Sequence, residues 1–221
     1  MNVTTPDGGQ PPRPASDPAP NWRWLDDLQR VDIAIYAAVA RTPTPALDQA
    51  MSRLSQAANY SRISLTAAAA LAIVGGRPGR RAAAAGLVAT GVTSATVNLA
   101  AKRLMPRRRP DRLGEEVPIA RHVRMPTSRS FPSGHSAAAF AFATGVGHVL
   151  PPVAAPLRIL AAAVAYSRVH TGVHYPGDVV VGGLIGTVIA QTTNQVLDRA
   201  VTSRRVPGRR EHRPSASPSI T

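Results

Sequence analysis

The sequence of 221 residues contains no cysteine, so it forms no disulfide and offers no thiolate as a nucleophile or a metal ligand. Histidine and carboxylate side chains are the metal ligands that remain. No His-x-x-x-His or Glu-x-x-His pair appears except His170 and His174, and Gly172 between them and Pro176 after them argue against a regular helix there. We therefore expect no metal and no other cofactor.

Aromatic residues are scarce as well: three Phe, two Trp and four Tyr are too few and too scattered for a base-stacking platform. The 12 acidic residues are outnumbered by 26 Lys and Arg, which gives a net charge of +14. Such a charge suits a nucleic acid or a membrane surface, and the positions of the charges separate the two. The basic clusters alternate with long uncharged stretches, as in membrane spans joined by basic loops. We expect no nucleic-acid partner, and a non-enzymatic basic membrane-binding protein is one alternative.

Apolar stretches predict the fold. Residues 82–101 and 179–197 carry no charge over about the 20 residues that a helix needs to cross a bilayer. Gly182 and Gly186 have the small-xxx-small spacing that lets helices pack closely in lipid. The predicted spans are 63–76, 82–101, 134–150, 153–168 and 178–197. We predict an all-α integral-membrane bundle of about five spans, with a soluble alanine-rich bundle as the alternative.

Two amphipathic helices are predicted before these stretches. The first covers residues 25–40, with Leu28, Val31, Ile35 and Val39 as its apolar positions, and is too short to span a membrane. The second covers about residues 46–58.

Composition also predicts the domain boundaries. Residues 1–21 are rich in Pro, Asp, Gly and Gln and should form a disordered leader, without the features of a signal peptide. Residues 22–198 form the membrane domain, and residues 199–221 form a basic, disordered tail.

Three polar segments punctuate the apolar stretches, and their residue types suit cleavage of a phosphoester without a metal. Fixed cations hold the phosphoryl oxygens, one imidazole attacks, a second protonates the leaving group, and a carboxylate orients the attacker. The segments are Lys102 to Pro110, Pro132 to His135, and Ser167 to Asp178.

The third segment predicts a paired histidine and carboxylate. Pro176 suits the first turn of a helix, with Asp178 two residues later and His174 in the preceding turn. A carboxylate there can reach back to one imidazole nitrogen and leave the other free to attack. His170 and Tyr175 are expected to line the pocket.

The second segment predicts a phosphate cradle at the start of a helix. Ser133 suits the N-cap, Gly134 lets a ligand approach the backbone, and free amides favour an anion. The first segment supplies the cations that bind phosphate. In the stretch from Lys102 to Arg112 we expect most of the following arginines to be surface charge: Arg103, Arg107, Arg108 and Arg112.

The order of the spans tests whether these segments can meet. With five spans, one or more residues of each segment fall on the same side of the membrane. They are Lys102, His135, Arg168 and His174.

The three segments resemble the signature of the type 2 phosphatidic acid phosphatase superfamily: Lys-x6-Arg-Pro, Pro-Ser-Gly-His and Ser-Arg-x5-His-x3-Asp. Every signature position is present, and the similarity covers roughly residues 25–198. The resemblance implies metal-independent hydrolysis of a lipid phosphate through a phosphohistidine. It implies phosphate binding by Lys102, Arg109, Ser133, Gly134 and Arg168, general acid catalysis by His135, nucleophilic attack by His174, and orientation of that nucleophile by Asp178.

The chain resembles the short, five-span members of this superfamily, and the partners it implies are a lipid phosphate substrate and membrane lipids. Vanadium-dependent haloperoxidases share the signature, with vanadate bound at His174, but they are usually soluble and larger. We predict a multi-pass protein of the cell membrane. If the catalytic cations are set aside, the positive-inside rule puts the basic tail in the cytoplasm and the site on the other side.

Overall fold

Helices make up all of the regular structure that the computed structural model describes, which comprises residues 23–104 and 107–205. This confirms the all-α class. In chain order the α-helices are α1 Arg23–Arg41, α2 Pro45–Ala57, α3 Arg62–Val74, α4 Gly76–Thr96, α5 Lys102–Leu104, α6 Gly134–Val149, α7 Ala154–His170 and α8 Pro176–Arg205. A π-helical turn, Val97–Ala101, joins α4 to α5, and short 3₁₀ turns lie at Asn59–Ser61, Ile119–Arg121 and Pro151–Val153.

All five predicted apolar stretches are helical. By length and composition, Gly76–Ala101 and Pro176–Ser203 could each cross a membrane. A third span is possible if Pro45–Ala57 and Asn59–Val74, which meet at a bend of 69°, are counted as one broken span. The two remaining predicted spans are α6 and α7, which have 16 and 17 residues and are shorter than the 18 residues required of a candidate span. The count of five spans, and the side of the membrane that the polar segments face, stay predictions.

Helix boundaries follow the helix-breaking residues. Pro43 follows the end of α1, and α2 begins with Pro45, whose fixed φ suits the first turn of a helix. The prediction that the tail begins at residue 199 placed the boundary too early, because α8 continues to Arg205. The first strong helix breakers after α8 are Pro207 and Gly208. The predicted leader, residues 1–21, and the tail beyond residue 205 lie outside the described residues.

The apolar stripe of α1 faces away from the bundle. The face that α1 buries consists of Asp32, Tyr36 and Ala40, whereas Leu28 is 59% exposed and Val31 is 56% exposed. Together with Ile35, these apolar residues leave α1 with an outward surface that suits lipid contact.

Glycines allow α4, α6 and α8 to pack at the centre with their backbones in contact. A Cβ atom at Gly182 would lie 2.5 Å from the carbonyl oxygen of Ser133, and one at Gly186 would overlap the carbonyl oxygen of Ala137. Both carbonyls belong to the start of α6, so the predicted small-residue contact face is confirmed.

A buried ion cluster fastens the N-terminal helices to the bundle. The guanidinium of Arg121 donates to Asp48 at 2.8 Å and to the backbone carbonyls of Val39, Ala40 and Thr42. Those carbonyls lie at the C-terminal end of α1, where a helix has no internal partners for them. His170 lies 3.0 Å from the same carboxylate of Asp48. The prediction that His170 lines the phosphate pocket is therefore wrong, because its ring packs into this cluster.

Because α6 and α8 are in backbone contact, we expect alanine to be far less tolerated at a glycine inside this contact than at a glycine outside it. Gly186→Ala should destabilise the protein by about 1–3 kcal/mol, because the added methyl group meets backbone that has no room to move. Gly91→Ala, on α4, is the matched control, since a Cβ there has no neighbour within 4 Å. It should be neutral or raise stability by up to about 1 kcal/mol. Thermal unfolding of both variants in detergent measures the difference, and equal midpoints would contradict the packing described here.

Candidate active site

The three polar segments meet at one end of the helix bundle. The first follows α4, the second begins α6, and the third joins α7 to α8. Arg109 donates to the carbonyl of Val173 at 2.6 Å, which joins the first segment to the third. The backbone N–H of Ser133 donates to the carbonyl of Asp178 at 2.9 Å, which joins the second to the third. The predicted site residues therefore lie together.

His174 and Asp178 form the predicted pair. His174 lies in the turn before α8 and Asp178 in its first turn, with 3.4 Å between Nδ1 of the imidazole and Oδ2 of the carboxylate. Both side chains are buried. The other imidazole nitrogen, Nε2, lies 3.2 Å from a guanidinium nitrogen of Arg109. Because a guanidinium only donates hydrogen bonds, Nε2 faces it with its lone pair, and the ring proton lies on Nδ1, toward Asp178.

The imidazole of His174 is neutral at physiological pH. Burial lowers the pKa of His174 to about 4, and the charges of Arg109 and Arg168 act in the same direction, against the opposing effect of Asp178. A neutral ring with no proton on Nε2 is the form in which an imidazole can act as a nucleophile.

Asp178 is held by donors from several segments. Ser130 donates its hydroxyl to Oδ2, and the backbone N–H of Tyr175 donates to the same oxygen at 2.9 Å. Arg107 donates to Oδ1 at 2.9 Å. These bonds fix the carboxylate behind His174, and Tyr175 takes part through its backbone.

Arg107 is more than surface charge. Its second guanidinium nitrogen lies 2.6 Å from the carboxylate of Asp32 on α1, and its guanidinium stacks over the ring of Tyr175 at 4.2 Å. Asp32 also accepts a 2.6 Å hydrogen bond from the backbone N–H of Gly177. Sequence reasoning did not select Arg107 from the four arginines of which most were expected at the surface, because adjacent arginines look alike in sequence and only the fold shows which one faces Asp178.

The other predicted cationic ligands, Lys102 and Arg168, lie near His135, as do Arg109 and His174. Lys102 extends its ammonium to 3.2 Å from the hydroxyl of Ser128 and toward Gly134. Burial, followed by the charge of Arg109, lowers the pKa of Lys102. Arg168 is buried and donates to Ser55 at 2.7 and 3.0 Å, while its Nε has no hydrogen-bond partner among the described residues. A buried donor of this kind suits an oxyanion ligand.

The start of α6 supplies the remaining groups. Ser133 is the N-cap, as predicted, and its hydroxyl accepts from the backbone N–H of Ser136 at 3.4 Å. His135 follows in the first turn, with Nε2 at 3.1 Å from Oδ1 of Asn59.

A cavity of about 180 Å³ leads away from this cluster. Lys102, Gly134 and His135 form its polar end, and the side chains of α3, α6 and α7 continue it as an apolar channel. Ala67, Phe142, Leu160 and Val164 are among these apolar side chains. The arrangement accommodates an anionic group joined to a hydrocarbon chain.

Sequence reasoning missed five residues that hold the site: Asp32, Ser55, Asn59, Arg107 and Ser130. Only Asp32 carried a usable signal, because Asp32, Tyr36 and Ala40 repeat every four residues along one face of α1. Over the part of the chain that the structure describes, no group of three or more His, Asp or Glu side chains is arranged to hold a metal ion.

Curated relatives resemble part of the chain. It is 38% identical over 99 residues to the decaprenylphosphoryl-5-phosphoribose phosphatase of two Mycobacterium tuberculosis strains, a match that covers 43% of this chain. The chain spans about half the length of these curated relatives, 50% in each case.

Solved structures share the fold. LpxE of Aquifex aeolicus superposes with a TM-score of 0.60 at 24% identity, covering 75% of this chain and 95% of that one. A transmembrane PAP2-type phosphatidylglycerolphosphate phosphatase of Bacillus subtilis gives a TM-score of 0.58 at 23% identity, covering 79% and 88%.

The family model of the PAP2 superfamily matches residues 82–201, which include all three polar segments. More than half of the chain lies within this match, and the fold agrees with solved members of the same type. The chain therefore belongs to the PAP2 superfamily, the type 2 phosphatidic acid phosphatases that its motifs resemble.

Proposed function

We propose that this protein is a membrane lipid phosphatase that hydrolyses a phosphate monoester or a diphosphate through a phosphohistidine at His174. The observation that carries the proposal is the state of His174: a neutral imidazole, backed by Asp178, turns the lone pair of Nε2 toward the guanidinium of Arg109, and the charges of Arg109 and Arg168 act on the same ring. A phosphoryl group bound by those cations lies where the lone pair can reach phosphorus.

In the first chemical step, Nε2 of His174 forms a bond to phosphorus while the bond from phosphorus to the leaving oxygen breaks. The electron pair of the broken bond goes to the leaving oxygen, which takes a proton from His135. The charge that builds up on the phosphoryl oxygens is stabilised by Lys102, Arg109 and Arg168. Asp178 stabilises the positive charge that the ring of His174 acquires.

In the second step, water attacks the phosphohistidine. His135, which lost its proton in the first step, takes a proton from the water, the new bond from oxygen to phosphorus forms, and the bond from phosphorus to Nε2 breaks. Inorganic phosphate leaves and His174 returns to its neutral state.

The apolar channel supports a lipid as the substrate, because it begins at the phosphate ligands and offers a hydrocarbon chain a place between α3, α6 and α7. This feature favours a lipid phosphatase over a haloperoxidase. The candidate substrates are phosphatidic acid, phosphatidylglycerol phosphate, a polyprenyl diphosphate and a polyprenyl-linked pentose phosphate. The last agrees with the name of the curated relatives. Phosphate release from these four lipids in detergent ranks them.

Removing the attacking imidazole should abolish turnover. In His174→Ala, kcat for phosphate release should fall at least about 10⁴-fold, because the variant lacks the nitrogen that is proposed to form the covalent intermediate. His148→Ala is the control, since His148 pairs with Asp198 on the surface and should leave kcat unchanged. Labelled phosphate should stay on the wild-type protein after an alkaline quench and be absent from His174→Ala. Full turnover in His174→Ala would contradict the assigned nucleophile.

Removing divalent metals should leave the activity intact. The proposed phosphate ligands are the side chains of Lys102, Arg109 and Arg168, which EDTA does not extract. We expect the same kcat and KM after dialysis against EDTA as before it. Loss of activity in EDTA, with recovery on adding a divalent metal, would contradict the mechanism.

Narrowing the apolar channel should discriminate against long lipids. Ala67→Leu extends a side chain into the channel from α3, so kcat/KM for a long-chain lipid phosphate should fall by about tenfold, or about 1.4 kcal/mol. The value for a short, water-soluble phosphate ester should stay the same. Ala69→Leu, on the exposed side of α3, is the matched control. An equal loss on both substrates would show that the channel does not hold the hydrocarbon chain.

A further inference from the structure

The bend between α2 and α3 brings a polar side chain to His135. The two helices meet at 69°, and the turn between them contains Asn59, Tyr60 and Ser61. Tyr60 and Ser61 both have a φ of 56°, a left-handed conformation that residues other than glycine seldom adopt. Two such residues in succession are typical of a segment held in place for a function.

Asn59 contacts His135 directly. Its Oδ1 lies 3.1 Å from Nε2 of the imidazole. An amide oxygen only accepts hydrogen bonds, so Nε2 carries a proton and donates it to Asn59. The ring is then oriented, and Nδ1 is the nitrogen left to exchange a proton with the substrate.

The surroundings of His135 make this acceptor important. The titratable groups that face His135 are Lys102 from α5, Arg109 from the loop after it, Arg168 from α7 and His174 from the turn before α8. Three are permanent or near-permanent cations, and their charges oppose a second proton on the ring. The side-chain carbonyl oxygen of Asn59 offsets this repulsion, because it accepts the hydrogen bond from Nε2 and carries partial negative charge.

We propose that Asn59 is a positioning residue that holds the imidazole of His135 by Nε2, so that Nδ1 delivers a proton to the leaving oxygen. The inference rests on the proposed function, because it concerns the first chemical step of the same reaction. The ring acts as the imidazolium, with a proton on each nitrogen. The bond from phosphorus to the leaving oxygen breaks, its electron pair stays on that oxygen, and the proton from Nδ1 neutralises it, which leaves the ring neutral with its proton on Nε2.

The inference extends the site beyond the family match. Asn59 lies outside residues 82–201, as does Ser55, which accepts from Arg168 at 2.7 and 3.0 Å. The end of α2 and the turn after it thus contact both the proposed acid and a proposed phosphate ligand.

The test compares leaving groups that differ in their need for a proton. An alkyl phosphate releases a strongly basic alkoxide and needs the acid, whereas a nitrophenyl phosphate releases a stable phenolate and does not. Dodecyl phosphate and a dodecyl-substituted nitrophenyl phosphate match the hydrocarbon chain. In Asn59→Leu, kcat/KM for dodecyl phosphate should fall by about 100-fold, while the value for the nitrophenyl ester stays nearly unchanged.

Three further variants sharpen the result. Gln56→Leu removes a carboxamide from the exposed face of α2 and should change neither value. His135→Ala should lower kcat/KM for dodecyl phosphate and spare the nitrophenyl ester, as Asn59→Leu does. The double variant should have the same kcat/KM for dodecyl phosphate as His135→Ala alone. Asn59→Asp keeps an acceptor and adds a negative charge beside Nε2. It should retain activity on dodecyl phosphate. Because the negative charge favours the protonated ring, kcat/KM should begin to fall at a pH about one unit or more higher than in the wild type.

The outcomes separate the two proposals. If the wild-type protein releases phosphate from neither ester, the proposed function fails and this inference fails with it. If the wild type is active and Asn59→Leu loses equally on both esters, or loses nothing on dodecyl phosphate, only the role of Asn59 is overturned. Retained activity on the nitrophenyl ester also shows that the variant is folded.

Discussion

The carboxylate of Asp178 is the point on which the site depends. A buried charge is costly unless donors surround it, and Asp178 draws them from the first polar segment, from the loop before α6 and from the turn before α8. The hydrogen bonds that this one carboxylate accepts therefore hold separate parts of the chain together. The imidazole of His174 then lies beside Asp178, and its Nε2, the nitrogen that we propose attacks phosphorus, is turned toward Arg109.

The helices α1 and α2 and the residues matched by the family model have different roles in the site. Residues 82–201 supply the groups proposed to touch phosphate. The helices before them hold those groups: Asp32 on α1 pairs with Arg107, and Ser55 on α2 accepts from Arg168. Arg121 and Asp48 fasten both helices to the bundle through a buried ion pair. Because removing one partner of a buried pair leaves an uncompensated charge, loss of either residue should strongly destabilise this anchor.

The sequence predicted the parts of this structure that local rules control. The helix class, the N-cap at Ser133 and the turn that carries His174 all follow from short-range patterns, and the three motifs identified the cluster. Contacts between distant segments left no such pattern. Nothing in the sequence distinguishes Arg107 from its neighbours, and Asn59 reaches His135 only because α2 and α3 meet at a bend. The apolar positions of α1 gave its amphipathic character, but they did not show that the polar Asp32 lies on the buried face.

The glycine contacts between α6 and α8 have a consequence for substrate choice. The cradle at Ser133 and the carboxylate at Asp178 are joined backbone to backbone, and Gly182 packs against the same carbonyl region. No rotatable side chain intervenes, so backbone contacts alone fix the distance between the turn at Ser133 and the first turn of α8. Chemical diversity among substrates must then be accommodated elsewhere, in the adaptable walls that receive the rest of the molecule. A change of substrate would then require new side chains in those walls, while the contact between α6 and α8 stays as it is.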